Sequence, residues 1–382
     1  MERRKDDKGR VLKEGESQRK DGRYQYRWTD DFGKRHTVYA DDLKELRIKK
    51  ESKAFSTNSD KSEITVYSLV VRYEKIHKKS LRESSSYTRG QFIRKIENSY
   101  FGEKSISDVT TLKAKEWFVS LNEEGMSQAA ISNMKNILTP AFQMAVDECL
   151  IPYNPFSFCL NKLIKPNKKK KVLMTEDQYK NLIDFAKTNK TYSKYMDLVV
   201  VLHETGIRVS ELCGLTIDDV DLENGFLKIT HQLGSIPGKK EYIQEPKSKS
   251  GFRTIPLTKS AKNSFQSIIN RRLLMERGPI IDGYSYFLFP RKDSLRPKNR
   301  DAIDSIIEGA VKSYNKKHEE KIPPTTPHSF RHMFCTRLIS AGMNVKSVQY
   351  LMGHSNIRMT LDVYAEFDIP LTTDEFLRIA DS

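Results

Sequence analysis

Thirteen residues near the middle of the chain, Asn161 to Leu173, carry six lysines and no acid, together with one proline and two asparagines. Clustered lysines repel one another, and proline and asparagine interrupt regular structure, so this stretch reads as a linker. It divides a chain of 382 residues, a length that exceeds what one hydrophobic core organises and that calls for two or three domains. The same stretch holds more than a third of the formal net charge of +16. Such an excess points to a polyanionic partner, nucleic acid before an anionic membrane surface, with Lys168, Lys169, Lys170 and Lys171 placed to follow a phosphate backbone.

The longest apolar runs, such as Leu198 to Leu202, fall far short of the roughly 20 residues that span a bilayer. The charged start, Met1-Glu-Arg-Arg-Lys, runs into no apolar stretch, so a cytoplasmic protein without a secretory signal is expected. Cys149, Cys159, Cys213 and Cys335 form no Cys-x-x-Cys pair, which argues against a disulfide framework and against a structural zinc.

Residues 1–60 are expected to form one domain. The aromatic-rich runs from Gly22 to Thr29 and from Lys34 to Tyr39 flank the turn Asp30-Asp-Phe-Gly33 and read as paired strands, followed by a short helix from about Asp41 to Lys50. Arg23, Arg27, Lys34 and Arg35, interleaved with the aromatics, suit a DNA groove. Glu51 to Ser62 is linker-like. Residues 64–160 show apolar residues at helical spacing and are expected to be an all-α domain, with Arg89, Arg94, Lys95, Asn133 and Lys135 as candidate DNA contacts. After the basic linker, 161–173, the remaining chain divides into a domain over 174–370 and a tail over 371–382.

The chemistry lies in that last domain. In Glu204-Thr-Gly-Ile-Arg-Val-Ser-Glu, Gly206 ends one helix and Arg208 opens another, with Glu211 three residues on to orient it. The extended run Tyr242 to Leu257 contains Lys-Ser-Lys-Ser-Gly, which places Lys247 or Lys249 near a hairpin tip; Lys247, directly after Pro246, is preferred as the acid. Thr326-Pro327 caps a helix whose first turn carries His328 and Arg331 on one face, where the helix dipole favours phosphate. Leu351-Met-Gly-His354 then leads to Leu361-Asp-Val-Tyr364. Two arginines, a lysine and two histidines can neutralise the extra charge of a pentacoordinate phosphorane and supply a general acid for the departing oxygen, and Tyr364 is the nucleophile that such a basic pocket would activate. A phosphotyrosine ester keeps the energy of the broken bond, so no ATP, metal or other cofactor is called for. His328 and His332 have the spacing of a metal pair, but no acid stands between them.

These motifs, Thr-Gly-Ile-Arg208-Val-Ser-Glu-Leu, the Lys247/Lys249 segment, His328-Ser-Phe-Arg331-His, Leu-Met-Gly-His354-Ser and Leu-Asp-Val-Tyr364, resemble the tyrosine recombinase (phage integrase) superfamily. The resemblance implies a mainly α catalytic domain with a small antiparallel sheet, an all-α core-binding domain before it, and the two closing on double-stranded DNA as a homotetramer. Lys13 to Tyr24 and the sheet-and-helix pattern after it further resemble the arm-binding domain of integrases from conjugative transposons. By that likeness the chain excises and integrates a mobile element, assisted by an excisionase and a host DNA-bending protein. A chromosome-dimer resolvase and a non-cutting DNA-binding regulator are the alternatives.

Overall fold

The computed structural model describes residues 4–29, 35–47, 64–77, 82–166 and 172–365, with Thr29, Arg35, His36 and residues 363–365 described by backbone alone. The Asp30–Gly33 turn, Lys34, the 51–62 segment, Lys168 to Lys171 and the tail lie outside the described residues. Two compact units result, Met1–Asn167 and Lys168–Ser382.

In the first unit, β1 (Glu16–Gln18), β2 (Tyr24–Thr29) and β3 (Arg35–Ala40) form an antiparallel sheet in that order. Tyr24 faces Ala40 and Tyr26 faces Val38, so the period of two gathers Tyr24, Tyr26, Trp28, Val38 and Ala40 on one face, which Leu43 and Leu46 of a short helical turn cover. Arg27 is left exposed on the other face. Arg23, also exposed, is held by Asp21 at 2.9 Å.

The helices α1 (Val66–His77), α2 (Glu83–Glu97), α3 (Thr111–Glu123) and α4 (Gln128–Asp147) share a second core. Thr110 and Ser127 cap α3 and α4 by accepting from Lys113 N and Ala130 N. Ile131, Met134, Leu138, Phe142 and Ala145 repeat every three or four residues and are buried, against a cluster in which Phe101 stacks on Trp117 at 4.2 Å. Arg94, Lys95 and Asn133 are exposed. Arg89 is tied to Glu74 (Nε to Oε1, 2.9 Å), and Lys135 lies over the Phe158 ring at 5.4 Å. Among the described residues no helix is long and apolar enough to cross a membrane.

The second unit is built round α6 (Met196–Thr205), where Leu198, Val199, Val201 and Leu202 are all buried. That helix is apolar on nearly every side because α8 (Lys259–Leu273) and α10 (Pro327–Ser340) both pack on it. Helices α5 (Glu176–Thr188) and α9 (Arg300–Lys317) extend the same core. Between them, β4 (Val220–Asp221), β5 (Phe226–Ile229) and β8 (Arg253–Pro256) form one antiparallel sheet, and β6 (Gln232–Gly234) with β7 (Tyr242–Gln244) form another.

That topology corrects the hairpin expected around Lys247 and Lys249. Strand β7 pairs with β6 and β8 with β5, so the two extended arms belong to different sheets and the lysines lie on the connection between them. Pro246 lacks an amide hydrogen to continue a ladder. A 3-10 turn over Lys249–Gly251 then redirects the chain. Gly251 sits so close to Pro246 that a Cβ there would come within 2.3 Å of the proline Cβ. Alternation alone could not separate the two cases, since both arms are extended either way.

Candidate active site

Helix α6 ends at Gly206 with φ of 60°, and a Cβ there would meet Phe334 Cδ1 at 2.3 Å, so the turn requires glycine. Two residues later Arg208, in extended conformation, caps α7 (Val209–Gly214). Glu211, one turn into that helix, accepts the Arg208 amide at 2.8 Å and its Nη1 at 2.7 Å. The i, i+3 spacing thus lets one carboxylate fix both ends of the arginine.

Helix α11 (Val345–Met352) closes on Gly353, φ 61°. Gly353 N donates to Tyr350 O at 2.9 Å and His354 N to Gln349 O at 3.1 Å. This cap uses the carbonyls of residues 349 and 350 and leaves those of 351 to 353 without helical partners. Three arginines take them one each. Arg253 Nε donates to Leu351 O at 2.7 Å, Arg331 Nη2 donates to Met352 O, and Arg208 Nη2 donates to Gly353 O at 2.7 Å. The negative end of the helix is thereby a common anchor for three cations drawn from three distant segments. Arg331 also donates Nη1 to Gly206 O at 2.7 Å, joining the two glycine turns.

Arg331 stands one turn after His328 at the start of α10, where Pro327 needs no amide hydrogen and Ser329 Oγ accepts Thr326 N at 3.1 Å. His328, Arg331, His332, Met352, His354, Met359 and Asp362 line a cavity of about 240 Å³. Burial, then the charge of Arg208, presses the Arg331 guanidinium down to about 9, still protonated at neutral pH. Burial, followed by the charges of Arg331, Arg208 and Arg253, brings the His354 imidazole down to about 3, so it is neutral near pH 7. Both shifts run the same way. The pocket holds cationic groups close together and favours an anion that would relieve them.

Helix α12 (Arg358–Ala365) carries Tyr364, whose backbone alone is described. One turn before it, Thr360 is fully buried and its Oγ1 lies 2.9 Å from His354 Nδ1. Lys247 and Lys249 are exposed and stand outside the cavity lining, as does Arg208.

Two members of this assembly escaped the sequence reading. Arg253 is buried and shares Glu211 with Arg208; the signal for it was the alternation in Arg253-Thr-Ile255, which puts an arginine on the same face as a core isoleucine. Thr360 was detectable only as the residue one helical turn before Tyr364. His332, read as half of a discarded metal pair, lies against His328 with ring centroids 4.4 Å apart.

Residues 173–368 match the model of the phage integrase family, and residues 1–54 match that of the DNA binding domain of Tn916 integrase. The transposase from transposon Tn916 of Enterococcus faecalis is 36% identical over 395 residues, covering 99% of this chain and 97% of that protein. The transposase from transposon Tn1545 of Streptococcus agalactiae matches at the same identity and coverage. A solved structure of the Tn1549 transposon integrase in complex with a circular intermediate DNA is similar with a TM-score of 0.77 at 38% identity, covering 83% of this chain and 99% of that one. The chain therefore belongs to the phage integrase family and is a tyrosine recombinase, an enzyme that cleaves and rejoins DNA.

Proposed function

We propose that this recombinase excises and integrates a conjugative transposon, and that it does so through a 3′-phosphotyrosine bond at Tyr364. The likeness to the Tn916 and Tn1545 transposases over nearly the whole chain supports the element class. The convergence of Arg208, Arg331 and His354 on the glycine turn that leads to the Tyr364 helix is the observation that carries the residue roles.

The Tyr364 oxygen attacks the phosphorus as its proton passes to water, the bond to the 5′-oxygen breaks, and the leaving oxygen takes a proton from Lys247, which solvent then restores. Arg208 and Arg331 bind the non-bridging oxygens as charge develops, while His328 and neutral His354 donate hydrogen bonds to them. Attack by a free 5′-hydroxyl reverses the step and releases Tyr364. The bond count is unchanged in each direction, so no energy source enters.

Residues 1–60 bind sites at the element ends, residues 64–160 and 174–370 grip the crossover site, and the 161–173 linker follows the backbone between them. Four copies assemble on DNA, with an excisionase and a host DNA-bending protein setting direction, in the cytoplasm. The N-terminal match to a Tn916-type DNA binding domain favours this reading over a chromosome-dimer resolvase.

A suicide substrate nicked beside the crossover tests the chemistry. Wild-type protein should remain on the DNA through denaturant, with the adduct mapped to Tyr364, and Tyr364→Phe should bind but not trap. Trapping by Tyr364→Phe, or an adduct on another residue or on a 5′ end, would refute it.

A further inference from the structure

Arg253 is among the most deeply buried charges of the second unit, with a side chain at 0% exposure, and the chemistry above gives it no part. Its guanidinium donates Nη1 to Glu211 Oε1 at 3.0 Å, Nη2 to Glu211 Oε2 at 2.7 Å, Nη1 to Gly251 O at 3.1 Å and Nε to Leu351 O at 2.7 Å. Glu211 Oε1 also accepts Nη1 of Arg208. One carboxylate, with a side chain at 2% exposure, therefore lies between two guanidinium groups.

A buried carboxylate draws a neighbouring guanidinium toward a bidentate pair, which offsets the cost of burying its charge. Without Arg253, Arg208 would be the remaining arginine hydrogen-bonded to Glu211, and more of its donors would be committed to the carboxylate. We propose that Arg253 is a positioning residue that acts as the counter-ion of Glu211, so that Arg208 is oriented by the carboxylate without being neutralised by it and keeps its charge for the scissile phosphate. The balance of forces at Glu211 agrees. Burial pushes its carboxyl up, and the Arg253 hydrogen bonds, followed by the charges of Arg253, Arg208 and Arg331, outweigh that and hold it at about 2. Arg208 itself remains one-third exposed, at 34%, while Arg253 and Glu211 are sealed.

The inference rests on Arg208 as a phosphate-binding group, and the test separates the two. Single-turnover cleavage is measured on the ordinary phosphodiester and on a methylphosphonate, which lacks the negative charge that Arg208 would offset, with DNA affinity and melting temperature recorded alongside. Arg253→Met should slow phosphodiester cleavage by about 100-fold, the scale for losing one preorganised electrostatic partner. On the neutral substrate its rate should match wild type within a small factor. Adding Glu211→Gln to Arg253→Met removes the carboxylate that would capture Arg208 and should restore about tenfold of phosphodiester cleavage, a coupling of ordinary size for residues in contact. Arg253→Lys, which keeps a cation beside Glu211, should retain most activity and covers the case in which Arg253→Met does not fold. Equal losses on the charged and neutral substrates, no recovery in the double variant, or a dead but folded Arg253→Lys would each overturn the proposal. If Arg208→Ala is defective and Arg253→Met is not, the counter-ion role alone falls. If Arg208→Ala cleaves the phosphodiester as well as wild type, the underlying reading of the site falls as well.

Discussion

His354 Nδ1 and Thr360 Oγ1 lie 2.9 Å apart with both residues shut away from solvent, which ties a pocket histidine to the helix that carries Tyr364. A threonine hydroxyl in that position limits the ring to one orientation and leaves Nε2 for the pocket. Thr360→Val keeps the shape and removes the partner, leaving a buried imidazole nitrogen unsatisfied at a cost of about 1–3 kcal/mol. Urea unfolding should register that loss, and cleavage should fall by about tenfold if misplacing the ring costs one such hydrogen bond in the transition state. A variant as fast as wild type would mean that the contact only packs the helix.

The neutral state of His354 also shapes acid stability. Its folded value is about 3, well below the ordinary 6.5, so in the interval between them the unfolded chain holds a proton that the folded chain does not. Unfolding then takes up a proton, and stability rises with pH through that interval. Stability should therefore be lost as pH falls from 7 to 4, and His354→Gln, which has no imidazole to charge, should lose less. Parallel urea midpoints for the two proteins across that range would contradict the assignment.

The choice between Lys247 and Lys249 as the acid is open to a chemical test. A 5′-bridging phosphorothiolate has a leaving sulfur that needs no proton. It should restore cleavage to Lys247→Ala and leave Lys249→Ala little changed. The reverse pattern transfers the role to Lys249, whose backbone opens the turn that ends at Gly251.

Replacing Lys168, Lys169, Lys170 and Lys171 by glutamine should weaken binding to every duplex and flatten the salt dependence by about 0.9 per lost phosphate contact, with sequence preference hardly altered. A salt slope equal to that of wild type would leave the linker as a solvated tether.

Much of the site could be read from spacing, because local rules govern its pieces. Glu211 at i+3 from Arg208, Pro327 after Thr326, and glycines at 206 and 353 each announce a helix end, and the structure uses each one in that way. Alternation likewise found the β2–β3 pairing. What spacing could not supply was any contact between segments far apart in sequence. The sheet partners of the Lys247 segment, and the assignment of Arg253, Arg331 and Arg208 to three successive carbonyls, depend on tertiary packing that no local period encodes.

Because those three arginines grip main-chain oxygens of Leu351, Met352 and Gly353, the grip itself leaves the exposed side chains of the helix, Lys346 and Ser347, free to vary, while Val348, Leu351 and Met352 are fixed by the core. Helix length has no such freedom. Inserting or deleting one residue between Val345 and Met352 would turn the helix end by about 100° and misalign all three oxygens at once. Descendants of this chain should therefore vary at those exposed positions and be invariant in the helix's count, and a library of single-residue substitutions and insertions should find Lys346 and Ser347 tolerant of replacement and the helix intolerant of any change of length.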